Sequence, residues 1–197
     1  MPISEPTRRL VLAGLALTLA LPAQALTQAQ ARELIDRVMA EVQGIINSGA
    51  SESRMIARFE GLFARLADVP AIARSVLGPP ARSASPAQLS AFATAFRGYM
   101  ARKYGRQFRR FAGASAEVTG AREVQSFWEV ISTMTLRGEA PFEVRWHVSD
   151  RSGQILFFNL IIEGVNLLAA ERQEIGTLLE RRGGNIDRMI ADLQQAG

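Results

Sequence analysis

The chain has no cysteine, a single histidine and, among its 23 basic residues, a single lysine. Without cysteine there are no disulfides, thiol nucleophiles, iron–sulfur clusters or thiolate zinc sites. A lone histidine, His147, leaves Ser–His and Cys–His catalytic pairs almost nothing to be built from. Aspartate and glutamate are scattered rather than clustered at metal-ligand spacing. The pattern therefore argues against an enzyme and calls for no metal or cofactor. Apart from Lys103 every cation is arginine, and the net charge of +4 permits an anionic partner without requiring one. No stretch reaches the ~18 continuous apolar residues that a membrane helix needs.

What is present begins with an export signal. Arg8 and Arg9 form a positive n-region, and Leu10 to Leu21 is an apolar run of signal-peptide length. Pro22 breaks it, and Ala23-Gln24-Ala25 reads as a cleavage site. Cleavage after Ala25 leaves residues 26–197 as a single domain in the periplasm. Thr7-Arg8-Arg9-Leu10-Val11-Leu12 also fits a twin-arginine motif, so both the secretory and the twin-arginine route stay open. A domain of this length can build a sufficient core without disulfides. Nucleic acid is not an expected partner in that compartment.

Apolar spacing predicts helices at about 27–47, 52–66, 69–77, 86–111, 168–182 and 185–194. Thr27, Asp68 and Ser85 stand where N-caps belong. Pro86 and Gln88 complete a helix start after Ser85, with Gln88 placed for a capping box. The long fourth helix carries Leu89, Phe92, Phe96, Met100, Tyr104, Phe108 and Phe111 along one side. After Gly113 the period changes to two, predicting strands at about 115–124, 126–137, 141–149 and 153–165 with hairpin turns between them. In the third strand His147 falls on the polar face, opposite Trp146 and Val148. Helices first, then an antiparallel meander, then helices again is an α+β arrangement, with the long aromatic helix lying across a curved sheet.

Residues 155–168, ILFFNLIIEGVNLL, form the most informative stretch. One face of the strand would hold Ile155, Phe157, Asn159 and Ile161, and the other Leu156, Phe158, Leu160 and Ile162. An antiparallel strand normally turns one face to water and alternates. Here both faces are apolar, so helices are expected over one and a bound apolar ligand, a partner or further protein over the other.

Three blocks carry a resemblance to a family. The first is Asp68-Val69 … Ile72-Ala73 … Val76-Leu77-Gly78. The second is Gln88 … Phe92 … Phe96 … Met100 … Tyr104 … Phe108. The third is Ile162-Glu163-Gly164-Val165-Asn166-Leu167, followed by Gly176-Thr177-Leu178-Leu179 and Ile186 … Ile190 … Leu193. In order and separation they resemble the MlaC-type periplasmic phospholipid-binding proteins, also called toluene-tolerance auxiliary components of an ABC transporter. Ile155 stands where the family usually has Trp, Asn159 where it has Asp, and Asn166 where it has Ser, so an ion pair made by that Asp is absent here.

The resemblance implies an NTF2-like α+β fold enclosing an apolar lipid cavity. It implies a carrier that ferries phospholipid between an outer-membrane lipoprotein complex and an inner-membrane ABC transporter with its substrate-binding-domain protein. Candidate lipid-binding residues are Val69, Ile72, Val76 and Leu77 on the short helix, and Phe92, Phe96, Met100, Tyr104 and Phe108 on the long one. Val130, Met134, Val144, Trp146, Phe158, Leu160 and Ile162 are the candidates on strands. Arg97, Arg102, Lys103, Arg106, Arg109 and Arg110 would make a basic face on the long helix. Three other readings stay open: a hopanoid or other apolar lipid as cargo, a periplasmic interaction protein without a ligand, and an NTF2-like hydrolase or isomerase using Glu163.

Overall fold

The computed structural model describes residues 25–197, so the export signal expected from the sequence, apart from Ala25, lies outside the described residues. The described residues form six α-helices: α1 (Gln28–Ile46), α2 (Glu52–Leu66), α3 (Val69–Leu77), α4 (Pro86–Gly105), α5 (Leu167–Arg181) and α6 (Ile186–Gln195). The strands are β1 (Ser115–Val124), β2 (Phe127–Thr135), β3 (Phe142–Ser149), β4 (Leu156–Ile162) and β5 (Val165–Asn166). Single 3-10 turns follow α3 and α4, at Pro79–Arg82 and Phe108–Phe111.

The helix starts are fixed by their caps. The Thr27 hydroxyl accepts from the Gln30 amide at 3.3 Å, and the Gln30 side chain accepts from the Thr27 amide at 3.0 Å. Ser85 and Gln88 make the same reciprocal pair, both bonds at 3.1 Å. The Asp68 carboxylate accepts from the Ala71 amide at 3.1 Å. Each cap satisfies a backbone donor that would otherwise be stranded, contributing about 1 kcal/mol.

α4 is shorter than its aromatic stripe predicts. It ends at Gly105, and the chain tightens into 3-10 bonding, with the Gln107 amide on the Tyr104 carbonyl at 3.0 Å and the Arg110 amide on Gln107 at 2.9 Å. A glycine is a weak helix former, and this one serves packing: a Cβ there would stand 2.8 Å from Cγ1 of Ile56 on α2. Phe108 is buried in the turn as it would have been in the helix, so the spacing alone does not reveal the break.

The sheet is a meander in the order β1-β2-β3-β4-β5. α1 lies across it, meeting β1 through β4; α2 and α3 pack on α4, α6 on the other side of α4, and α5 on α3. The exposed edge of β1 is covered by side chains of α1. Gln28, Arg32 and Gln43 donate to the carbonyls of Ala121, Val118 and Ala114 at 3.2, 3.1 and 2.8 Å. This occupies carbonyls that would otherwise invite another strand.

β4 departs from simple alternation. Val148 pairs with Phe157 and His147 with Asn159, so Phe158 is an extra residue without a partner, a β-bulge. Phe157, Leu160 and Ile162 consequently share the helix-facing side, and the face assignment expected from strict alternation is corrected at this point.

The centre of the helical layer is deeply buried. Phe92 and Phe96 are fully buried, their rings tilted with centroids 5.8 Å apart. Phe96→Ala should lower stability by about 3–5 kcal/mol, read from the urea midpoint at unchanged m-value. A loss below about 1 kcal/mol would contradict this position in the core.

Candidate functional site

Beyond Phe96 the packing opens. A cavity of about 320 Å³ lies between α1, α2, the second half of α4 and the helix-facing side of the sheet. Its wall on the sheet is built from cross-strand neighbours: Ala116 opposite Met134, Met134 opposite Phe142, Val144 opposite Ile162 and Trp146 opposite Leu160. Val38, Met39, Val42 and Ile46 of α1 and Phe59, Leu62 and Phe63 of α2 close the helical side. No charged residue lines it; Gln43, Gln107 and Tyr104 are its polar members. Its more exposed wall is formed by Gln107, Phe111, Phe142, Ile162 and Leu167, around the sheet end where β1 and β3 begin and β2 and β4 finish.

The family model described as MlaC protein matches residues 32–195 of the chain. The chain belongs to the MlaC family. Among solved structures it is similar to a phospholipid-binding protein from Ralstonia solanacearum, determined in complex with a phospholipid. The two are 17% identical with a TM-score of 0.70, over 83% of this chain and 98% of the other. That similarity shows the fold: helices on an open five-stranded antiparallel sheet, the NTF2-like α+β arrangement expected of an MlaC protein.

Of the sequence candidates, this MlaC cavity brings together Met100, Tyr104, Phe108, Met134, Val144, Trp146, Leu160 and Ile162. Ile72, Val76, Phe96 and Phe158 instead border a separate void of about 30 Å³ under α3 and α5. Val69, Leu77, Phe92 and Val130 are buried but lie off the cavity wall. α5 packs on α3 and α6 on α4, and the apolar side of α4 meets the gap only from Met100 onward. Of the covers expected for the two faces of β4, the cavity shares the side of Phe157, Leu160 and Ile162 with helices, while Phe158 and Asn159 on the other side meet the first turn of α5, so further protein covers that face there. Sequence reasoning missed α1 and α2 as walls. The available signal was the breadth of α1's apolar face, where Val42 and Ile46 lie one turn apart and stay half-buried.

The polar groups around the MlaC cavity are held by one another. Trp146 donates its indole N–H to Ser132 Oγ at 2.9 Å, and that hydroxyl donates to the Val144 carbonyl at 3.2 Å. Tyr104 places its ring on the wall, but its hydroxyl turns away from the cavity to donate to Glu171 of α5 at 2.6 Å. Lys103 donates to the same carboxylate oxygen at 2.8 Å and to Glu174 at 2.5 Å, while Tyr99 donates to Glu174 at 2.5 Å. Burial, then the bond to Glu171, pushes the Tyr104 phenol up. Burial alone would lower Lys103, but its bonds to Glu171, Glu174 and Tyr99 outweigh that and hold the ammonium charged.

The basic face expected on the long helix is thus largely consumed. Arg97 pairs with Glu60 at 3.0 Å, Arg102 holds the carbonyls of Ala196 and Leu193 at 2.7 and 2.6 Å, and Lys103 joins the carboxylates of α5. Arg106, Arg109 and Arg110 remain exposed, without a carboxylate partner among the described residues, beside the cavity-lining Gln107, Phe108 and Phe111. Glu163 lies in the exposed turn after β4, where its carboxylate accepts from the Glu143 amide at 2.9 Å, away from the cavity.

His147 is not the surface residue that alternation suggested. Its side chain is 13% exposed, with Nε2 3.3 Å from the buried Glu129, which also pairs with Arg122 at 2.6 Å. Its ring lies against Phe127 and Phe158, whose burial of the imidazole pushes its pKa down despite Glu129. A depressed folded-state pKa means that the unfolded chain takes up the proton first. Stability should therefore be flat above the ordinary value of 6.5 and fall as pH drops below it. His147→Gln should reduce that acid-side slope, measured as urea midpoint against pH; an unchanged slope would place the loss elsewhere.

Proposed function

We propose that this chain is a periplasmic phospholipid carrier. It holds acyl chain in the cavity between α4 and the sheet, and passes lipid between an outer-membrane lipoprotein complex and an inner-membrane ABC transporter with its substrate-binding-domain protein. The observation that carries this reading is an apolar cavity wall without a charged residue in a protein with the MlaC fold. Membership of the MlaC family and the phospholipid bound by the Ralstonia neighbour support it.

The physical case is direct. Each CH2 moved from water into an apolar site contributes roughly 0.8 kcal/mol, so acyl chains do not cross an aqueous compartment unshielded. At about 320 Å³ the cavity is at the small end for a ligand site. Met39, Met100 and Met134 on its wall are unbranched and adaptable, which suits mixed acyl chains. The carrier works by burial alone and asks for no bond-making group. Residues 1–25 supply the export signal in this reading, and ATP hydrolysis belongs to the transporter.

Native mass spectrometry of the protein purified from periplasm without detergent, with lipid extraction of the same sample, tests the proposal. A phospholipid adduct is expected, and Leu160→Trp, which fills the cavity, should remove most of it while leaving the fold intact by circular dichroism. A bare mass with an empty extract would overturn the carrier reading, and a hopanoid in the extract would replace the cargo.

Arg106, Arg109 and Arg110 beside the exposed wall would draw the opening toward anionic head groups. Replacing all three with Gln should slow lipid exchange with anionic vesicles at low salt and flatten its salt dependence. Equal slopes for both proteins would exclude that role.

A further inference from the structure

A second concave site lies just beyond the cavity. The cleft between the end of α3 and the start of α5 measures about 630 Å³ and is lined by Arg74, Arg82 and Arg172 together with Gly78, Asn166 and Leu168. No carboxylate lines it. None of these three arginines has an acidic partner or a side-chain hydrogen bond among the described residues, whereas Arg65, Arg97, Arg122, Arg145 and Arg182 are each paired. Three like charges lining one cleft without a carboxylate repel one another, and an anion would relieve that repulsion.

One of the three is seated by the backbone. Gly78 ends α3 with φ +69, and a Cβ there would stand 3.0 Å from both Nε and Nη2 of Arg172. Glycine therefore makes the turn and leaves the space in which the guanidinium lies over the chain. The first amides of α5 are already used, Leu168 by Asn159 at 3.3 Å and Ala169 by Asn166 at 3.1 Å. The arginine side chains are left to carry the binding. Their planar forks match a tetrahedral oxyanion such as phosphate.

Consecutive residues of α5 face the two sites: Leu167 is on the cavity wall and Leu168 is on the cleft wall. The first turn of α5 is thus the partition between an apolar slot and a cationic cleft, the two halves of a phospholipid's chemistry. We propose that Arg74, Arg82 and Arg172 form a phosphate-ester site that takes the headgroup phosphate of the carried lipid. The inference rests on the carrier reading for the source of the phosphate, though not for the anion chemistry of the cleft. Because all three arginines are exposed, a free phosphate ester binds weakly. A headgroup tethered by its own buried chains gains effective concentration.

The test titrates sn-glycerol 3-phosphate into lipid-free and phospholipid-loaded protein, followed by NMR of the Gly78 amide and the arginine Nε–H groups, with loading checked by native mass. The lipid-free protein should bind saturably, and Arg74→Gln, Arg82→Gln and Arg172→Gln combined should weaken binding about tenfold or more. The loaded protein should not respond, its cleft being filled by its own headgroup. An equal response from the loaded protein would overturn the headgroup source and leave a site for free phosphate esters. No response from the lipid-free protein, or one untouched by the triple change, would overturn the site itself. If the protein takes up no phospholipid, the carrier reading and the headgroup source fall together, while the titration still decides whether the cleft binds phosphate. Exposed arginines do not hold the core, and circular dichroism of the triple variant checks that the fold persists.

Discussion

Glu171 is 2% exposed, and its carboxylate gathers the protein's single lysine and the Tyr104 hydroxyl onto one oxygen. A carboxylate taken out of water is costly unless it is paired and hydrogen-bonded. Lys103 and Tyr104, both from the second half of α4, offset that cost at Oε1, while Oε2 has no hydrogen-bond partner among the described residues. That requirement fixes α5 against α4 at one angle and one height. The position of Leu167 on the cavity wall, the reach of Tyr104 along it and the placing of Arg172 over Gly78 all depend on this polar joint. Removing Lys103 would leave the buried charge without its counterion, whereas removing Tyr104 would cost only one of its hydrogen bonds.

α4 has two halves doing different work. Phe92 and Phe96 are fully buried, Phe96 beside no more than the small void, while Met100, Tyr104 and Phe108 meet the larger cavity. The division follows the neighbours rather than the helix itself. α6 lies along α4 and secures its C-terminal half from behind, with Arg102 holding the carbonyls of Leu193 and Ala196. Gly105 sets the approach of α2 from the side. The helix can border an apolar cavity because its other faces are held by other means.

Much of this was legible in the sequence. Thr27, Asp68 and Ser85 announce their helices because a cap is a local arrangement of a few residues. β3 follows the period-two pattern closely, whereas β1 is interrupted at Thr119, between Val118 and Gly120. The site was only half legible. An aromatic every fourth residue says that Phe92, Phe96, Met100, Tyr104 and Phe108 share a face, but not where along that face the packing stops. That depends on α6 and α5, which are distant in sequence. His147 alternates as a surface residue, yet Phe127 and Phe158 cover it, Phe158 being the unpaired residue of the bulge. Arg74, Arg82 and Arg172 are separated by as many as 98 positions and meet only in the folded chain.

The bulge at Phe158 also decides what a change in chain length would do. Residues 157, 159, 160 and 162 keep the faces they would have if residue 158 were missing, because the extra residue is absorbed where it occurs. A strand shortened by that one residue would alternate without interruption and present the same Phe157, Leu160 and Ile162 to the interior. It would lose only the ring lying between His147 and the small void beneath α5. Elsewhere in β4 a single-residue deletion inverts every following side chain. Position 158 is therefore the point along this strand where its length can vary independently of what it encloses.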